Sequence, residues 1–211
     1  MEDTVAKAVE GVSEKILACA QEEFSEKGFS DASMRTIAAK AGTTTGSIYS
    51  RFGGKEGLFE AIVAPVAEDF IRMFREIQQE FHEKEASVQE QTLDTYTSAA
   101  MLQMLDYMYE HYAQFRLLLD ASYGTRFQDF VEQLVEIETE YTCMYMEVLQ
   151  TPADEENLIT PDFLHIMNKA LFESFFEVIR HQMPKDKAVR YIRMLGRYHG
   201  GGWQAIRQEN V

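Results

Sequence analysis

Between residues 32 and 55 the sequence gathers hydroxyl groups and positive charges, and it contains no Asp or Glu. The four cations of this stretch are Arg35, Lys40, Arg51 and Lys55. They give a local charge of +4 in a chain whose net charge is −15. Cations interleaved with hydroxyl donors suit phosphate oxygens, so the segment predicts a nucleic-acid partner.

Residue types within the stretch predict different contacts. A threonine methyl can touch a thymine methyl, and Thr45 is the residue to which we assign a base contact. Gly46 lets the backbone approach the DNA closely. For Tyr49 the alternative is a half-buried ring on the turn. Lys55 adds a side-chain charge to the free amides of a helix start. Phosphate contacts are expected from Ser33, Arg35, Thr43, Thr44, Ser47, Tyr49 and Lys55.

Two short helices must position these side chains. Apolar residues share one face over residues 34–41, and Gly42 follows as a helix stop. Ser33 and Thr44 stand where the N-caps of the two helices are expected. Ile48 and Phe52 lie four residues apart and would pack the second helix onto the first. The pattern predicts a helix-turn-helix, with a helical hairpin inside a bundle as the alternative.

Residues 16–59 resemble the DNA-binding module of the tetracycline-repressor (TetR-like) family. The matching residues are Phe24, Gly28, Phe29, Met34, Arg35, Ile37, Ala38, Ala41, Gly42, Gly46, Ile48, Tyr49, Phe52, Lys55, Glu56, Leu58 and Phe59. The resemblance implies an all-α transcriptional regulator that binds double-stranded operator DNA. It also implies a second domain for dimerisation and a small-molecule effector. Thr45 and Arg51 depart from the Lys and the aromatic residue frequent in the family.

Composition sets limits on other functions. Residues 1–60 carry seven basic and ten acidic side chains, and residues 61–211 carry thirteen and twenty-five, so the excess acid lies in the second part. No run of eighteen apolar residues or signal sequence is found, which predicts a cytoplasmic protein without a membrane span. The two cysteines and five scattered histidines predict no metal or cofactor. No catalytic constellation is found, so an enzyme is not expected. A scaffold is the other non-regulatory class, and it would show no sequence-specific DNA binding.

Helical spacing continues to the end of the sequence without strand-like alternation. We predict an all-α fold of about nine helices, with a three-helix helix-turn-helix module at residues 1–54 and a helical effector and dimerisation domain at residues 55–211. The expected features include helices at 5–27, 92–112 and 126–149, a polar connection at 83–91, a loop at 151–157 and a helix end or bend at 200–202. Pro65 predicts a kink in the long helix that begins at Lys55, and we hypothesise a hinge there.

A second acid-free stretch at residues 187–208 carries Lys187, Arg190, Arg193, Arg197 and Arg207. Nucleic-acid binding is one interpretation, and ion pairing with acidic neighbours is the favoured one.

The last two long helices, residues 160–182 and 184–205, are expected to form a two-fold homodimer that matches a palindromic operator. This role comes from the family resemblance, supported by broad apolar faces, and packing of the protomer core is the alternative. The predicted interface residues are Phe163, Met167, Leu171, Phe175, Tyr191 and Leu195.

An effector pocket rich in aromatic and methionine side chains is also expected, with simple core filling as the alternative. The predicted lining is Met104, Tyr107, Met108, Tyr112, Phe127, Tyr141, Met144 and Phe172. No cationic cluster accompanies this set, so an apolar or cationic effector is expected. A ligand-independent regulator or an activator is the alternative function.

Overall fold

The structure is a computed structural model that describes residues 2–149 and 159–209, and the side chains of residues 11–149 and 159–206. Within these residues it contains nine α-helices and no strand, which confirms the predicted all-α fold. The helices are α1 (Glu2–Asp31), α2 (Met34–Ala41), α3 (Thr45–Phe52), α4 (Lys55–His82), α5 (Ala86–Glu110), α6 (Tyr112–Asp120), α7 (Phe130–Val148), α8 (Pro161–Arg180) and α9 (Lys185–Glu209). The loop predicted at 151–157 lies outside the described residues.

Several helix ends differ from the prediction. α1 continues to Asp31, although Gly28 interrupts it with a φ of 72° and a ψ of 169°. α5 begins at Ala86 within the predicted polar connection, because the Gln89 amide group donates to the carbonyls of His82 and Lys84 and joins the two helix ends. α7 begins at Phe130, later than the predicted residue 126, and residues 123–129 before it form turns and a bend. α9 runs through its three consecutive glycines rather than ending there.

The chain divides into two compact units. The first comprises Met1–Glu68 and His111–Gln128, and the second comprises Asp69–Glu110 and Asp129–Val211. α4 continues unbroken across Pro65 and contributes residues to both units. The predicted boundary at residue 54 separates a DNA-binding domain from an effector and dimerisation domain, and it stays a prediction.

The first unit is built around buried apolar residues of its helices. Phe24, Phe29, Phe59 and Phe127 form an aromatic cluster in which neighbouring ring centroids lie 5.1–6.4 Å apart. The Phe29 amide donates to the Ala121 carbonyl at 3.0 Å, which fastens the end of α1 to the end of α6. Hydrophobic burial here holds the short helices α2 and α3, which could not form alone.

The second unit has its own aromatic core. Phe70 packs with Phe130 and Phe176, at ring-centroid distances of 6.0 and 6.2 Å. Phe74 and Phe172 meet edge to face at 5.5 Å. The buried methionines and Leu105 of α5 complete this interior together with the buried residues of α8 and α9. The unit therefore has a core independent of the helix-turn-helix.

Candidate nucleic-acid interface

The helix-turn-helix is capped as its sequence predicts. Ser33 Oγ accepts a hydrogen bond from the Thr36 amide at 3.3 Å, and Thr44 Oγ1 accepts one from the Ser47 amide at 3.1 Å. Each hydroxyl uses an acceptor lone pair for the cap and keeps its O–H to donate elsewhere. Both caps can therefore hold a helix start and offer a proton to a phosphate.

A tight glycine turn fixes how α3 follows α2. Gly42 has a φ of 69° and a ψ of 34°, the left-handed conformation that side-chain-bearing residues rarely adopt. The Thr43 amide donates to the Ala38 carbonyl at 2.9 Å. Ile48 is fully buried, so the inner face of α3 is anchored in the first unit. These contacts set the direction in which the outer face of α3 points.

Tyr49 stands out among the predicted contact residues because 57% of its surface is exposed. The alternative of a half-buried ring is therefore not the conformation adopted. Exposure of the whole predicted set is graded: Arg35, Thr44, Gly46 and Tyr49 are exposed, whereas Ser33, Thr43, Thr45, Ser47 and Lys55 are half-buried. All of them retain accessible surface with which to touch a ligand.

Lys55 makes contacts that the sequence did not predict. Its Nζ donates to the Ser30 carbonyl at 2.8 Å and the Ala32 carbonyl at 3.2 Å. The same ammonium lies 4.9 Å from the centroid of the Phe29 ring. In this structure Lys55 thus ties the start of α4 to the end of α1 and to the segment before α2, and its phosphate contact stays a prediction.

Two further residues support the interface. Glu23, only 4% exposed, accepts a hydrogen bond from the Ser33 amide at 3.1 Å and lies 3.8 Å from Lys40 Nζ. Arg51 Nη1 donates to Ser13 Oγ at 3.2 Å, which links α3 to α1. Glu23 was missed by the sequence analysis, although its spacing from Ala20 and Phe24 places it beside the buried stripe of α1.

The residues predicted to line an effector pocket are spread over both units. Phe127 belongs to the aromatic cluster of the first unit, where Arg126 lies 4.3 Å from its ring centroid. Tyr112 also lies in the first unit. Met144 is in the second unit but 43% exposed, so it does not share the burial of Met104, Met108 and Phe172. Tyr107 and Tyr141 are half-buried in that unit. The pocket stays a prediction.

The residues predicted for a dimer interface also differ in burial. Phe175 and Leu195 are only 2% and 9% exposed within a single protomer, where they pack in the core instead of forming an exposed face. Phe163, Met167, Leu171 and Tyr191 are half-buried. The same two helices carry three exposed apolar side chains that the sequence analysis missed: Ile166, Met194 and Tyr198. Apolar spacing alone did not separate these exposed residues from buried ones, since Tyr198 follows Leu195 by three residues on the same apolar stripe.

Other kinds of site are not indicated in the described residues. Within residues 2–149 and 159–209, no group of three or more His, Cys, Asp and Glu side chains could hold a metal ion. Across the same residues, every helix is too short or too polar to cross a membrane. Of the second basic stretch, Arg190 pairs with Asp186 at 3.2 Å, Arg193 and Arg197 are exposed, and the side chain of Arg207 lies outside the described residues.

Comparison with known proteins shows which family this helix-turn-helix resembles. Residues 16–62 match the family described as "Bacterial regulatory proteins, tetR family". The "HTH-type transcriptional regulator UidR" of Escherichia coli K12 is 36% identical over 76 residues, which cover 36% of this chain. The match spans 39% of the length of UidR.

Two solved structures show the extent of the likeness. A bacterial regulatory protein in the tetR family from Rhodococcus RHA1 superposes with a TM-score of 0.59 at 18% identity, over 88% of this chain and 95% of the other. NalD of Pseudomonas aeruginosa, described as the secondary repressor of the MexAB-OprM multidrug efflux pump, gives a TM-score of 0.54 at 21% identity, over 93% and 97%. At these identities the likeness establishes the fold.

Fold and interface together define a helix-turn-helix protein of all-helical architecture. The chain is TetR-like: residues 16–62 match the tetR family of bacterial regulatory proteins, and its helical fold is that of solved TetR-family structures. The resemblance of residues 16–59 is thereby confirmed.

Proposed function

We propose that this protein is a transcriptional regulator that binds a palindromic operator as a homodimer and represses transcription until a small effector releases it. The observation that carries the proposal is the capped helix-turn-helix, whose acid-free sequence presents hydroxyls, arginines and an exposed tyrosine around α3. Repression is proposed over activation or ligand-independent regulation because one structural relative is described as a repressor. Such a regulator would act on DNA in the cytoplasm.

The contacts with DNA follow from the geometry of α2 and α3. In a helix-turn-helix the N-terminal part of the second helix faces base edges in the major groove. Thr45, the first residue of α3, holds that position and is proposed to contact a base. Ser33, Thr44 and Tyr49 are proposed to hold phosphates on either side, together with the other predicted donors. These contacts would fix the register of the protein on the duplex.

Dimerisation is proposed for the exposed faces of α8 and α9. Ile166, Met194 and Tyr198 are 60%, 69% and 78% exposed, and large apolar side chains grouped on the last two helices are typical of a protein interface. The half-buried Met167 and Leu171 would extend this surface from the predicted set. A two-fold axis through such a surface would present two helix-turn-helix modules to one palindrome.

Effector binding is proposed for the second unit, and α4 is the element that could carry the signal. A ligand changes operator affinity only if it prefers one conformation of the protein. Changing a 99:1 equilibrium to 1:99 takes about 5.5 kcal/mol of differential binding. α4 holds residues of both units and lacks one backbone donor at Pro65, so Pro65→Ala is expected to alter induction while the effector still binds.

The test of the proposed function is a footprinting and gel-shift experiment on the DNA upstream of the protein's own gene. Protection of a palindrome, lost in a Thr44→Ala and Tyr49→Ala double variant that still melts cooperatively, is the expected result. A matched control is Ser25→Ala, Lys27→Ala, whose exposed residues lie on α1 outside the acid-free stretch. Equal affinity for every sequence tested would contradict the proposal.

A further inference from the structure

Lys40, in the last turn of α2, is one of the four cations of the acid-free stretch, and its charge faces α1. Its Nζ lies 3.8 Å from Glu23 Oε2 and 4.0 Å from Glu22 Oε2. Glu22 is exposed, and an ion pair with an exposed partner contributes little because water screens it. Glu23 is buried, so its carboxylate is the partner that holds the lysine.

The same carboxylate also holds the start of α2. Glu23 Oε1 accepts a hydrogen bond of 3.1 Å from the amide of Ser33, the N-cap of α2. One oxygen therefore binds the beginning of this eight-residue helix, and the other faces the ammonium group of its last turn. An anion is also favourable at a helix start, because the helix dipole is positive there. Glu23 thus fixes α2 against α1 from both ends.

This arrangement brings the Lys40 ammonium group close to the expected DNA phosphates. The ammonium group and the Ser33 amide contact one carboxyl group, so they lie near each other. Ser33 and Arg35 are the residues proposed to bind phosphate at the start of α2. Lys40 is itself exposed, and a lysine stem is flexible enough to turn towards a phosphate in that region.

The alternative role of the pair between Glu23 and Lys40 is stability alone. A contact that only stabilises the fold does not change how many phosphates the protein neutralises. A lysine held away from the DNA does change that number when it is released. The number is measurable, because each neutralised phosphate adds about 0.9 to the slope of log affinity against log salt. The two roles can therefore be distinguished.

We infer that Glu23 is a positioning residue that holds Lys40 against α1 and keeps its charge from DNA phosphates. Phosphate contacts strengthen binding to every sequence equally. Keeping one cation from the DNA therefore lowers the affinity for DNA of arbitrary sequence, and the carboxylate beside Ser33 adds repulsion of phosphate. This inference rests on the proposed function in one respect, since it takes the surface around the start of α2 as the one that meets DNA.

The test measures binding of the full-length protein to a fluorescent duplex of scrambled sequence, by anisotropy at salt concentrations from about 50 to about 200 mM. The variant is Glu23→Gln, which keeps an oxygen for the Ser33 amide but turns an amide group towards Lys40. We expect it to bind more tightly than the wild type and to have a salt slope steeper by about one. Its advantage over the wild type should fall about threefold across that salt range.

Lys40→Gln identifies the cation that is released. On its own it should leave the salt slope of the wild type unchanged, and its side-chain amide can still donate to Glu23. Combined with Glu23→Gln, it should remove the added slope. The control is Glu26→Gln, which takes the same charge from an exposed position on α1 and should leave the slope unchanged. Circular dichroism melting shows whether each variant is folded, and Lys40→Gln tests the inference without altering the buried position.

Four results would overturn the inference: an unchanged slope in folded Glu23→Gln, a slope lowered by Lys40→Gln alone, an added slope that persists in the double variant, or no binding of the duplex by any of these proteins at the lowest salt. The footprinting experiment is independent of these. A steeper slope in Glu23→Gln without protection of an operator supports the role of Glu23 and contradicts the proposed function. Operator protection with an unchanged slope contradicts the inference alone.

Discussion

At the start of α3, neighbouring residues are expected to make different kinds of DNA contact: one to a base and one to a phosphate. Thr45 is half-buried and lies at the N-terminal end of the helix, whereas Tyr49 is exposed one turn later. A base contact distinguishes one operator sequence from another, and a phosphate contact strengthens all of them equally. The two side chains should therefore be separable by mutation.

The first prediction concerns sequence preference. Thr45→Ala is expected to change the preference at one base pair of each half-site by about five- to tenfold, the cost typical of one lost base contact. Tyr49→Ala is expected to weaken all sequences by a similar factor. Selection from a randomised operator library, followed by affinity measurements, distinguishes the two effects. If Thr45→Ala weakens every site equally, the assignment of a base contact to Thr45 is wrong.

The second prediction concerns the pH dependence of stability. The pKa of Glu138 is raised to about 7 in the folded protein from an ordinary value of 4.5, so its neutral form favours folding. That contribution is complete below pH 4.5 and is lost as the pH rises through 7, because the unfolded chain then releases its proton more readily. Glu138→Gln cannot ionise and should be more stable than the wild type above pH 7, by at most about 3 kcal/mol.

The measurement is urea unfolding of both proteins at pH 5 and at pH 8. The stabilisation by Glu138→Gln is expected at pH 8 and should fall to about a quarter of that value at pH 5, close to the unfolded-state pKa. Other titrating groups are common to both proteins and cancel in the difference. A difference that is the same at both pH values would show that Glu138 does not titrate between them.

On the scale of helices, Lys55 links three segments of the first unit. Its ammonium binds the carbonyls of Ser30, at the end of α1, and Ala32, before α2, while its backbone begins α4. Lys55→Met is expected to lower the free energy of unfolding by about 1–2 kcal/mol through loss of these charge-assisted hydrogen bonds. Lys27→Met, which alters an exposed lysine on α1, is the control and should have almost no effect. Thermal unfolding provides the comparison.

Operator binding by the same variant tests the phosphate contact. If Lys55 also reaches a phosphate, the slope of log affinity against log salt falls by about one unit in Lys55→Met. If the slope is unchanged but stability is lowered, Lys55 has a structural role and makes no phosphate contact.

Helix positions were largely predictable from the sequence because they depend on local features. These are the apolar spacing, the N-caps Ser33 and Thr44, and the C-cap Gly42, each of which acts within a few residues. α5 was predicted to start too late, since the Gln89 side chain that joins it to α4 reaches back seven residues, to His82. Lys55 was taken for a free charge because its carbonyl partners are more than twenty residues away in the chain. Local patterns therefore predicted the caps and the turn, and tertiary contacts decided what the charged side chains do.

For the whole molecule, the sequence could not separate a protomer core from an interface. Both need apolar residues at helical spacing, and Phe175 and Leu195 fill the core whereas Met194 and Tyr198 remain exposed. Only the fold shows which stripe is covered. The exposed residues Met194 and Tyr198 give the dimer proposal a sharper test than the buried members of the predicted set.

The last prediction is that Met194→Asp with Tyr198→Asp converts the dimer to a monomer at micromolar concentration, because two charges would have to be buried in the interface. Tyr123→Asp is the control, since Tyr123 is 82% exposed in the first unit. Sedimentation velocity gives the oligomeric state, and circular dichroism confirms folding. Phe175→Ala should instead reduce stability by about 3–5 kcal/mol. A wild-type protein that sediments as a monomer would contradict the dimer proposal.

Phe52, the last residue of α3, also bears on how mutational data for this protein should be interpreted. A Cβ atom at Gly57 would overlap the Phe52 carbonyl oxygen, so α3 and α4 approach closely where α4 has no side chain. Alanine scanning is designed to remove side chains, but at Gly57 it adds one. Gly57→Ala should abolish operator binding by displacing α3. A functional screen would then identify Gly57 as a DNA contact, although its effect comes from the position of α3.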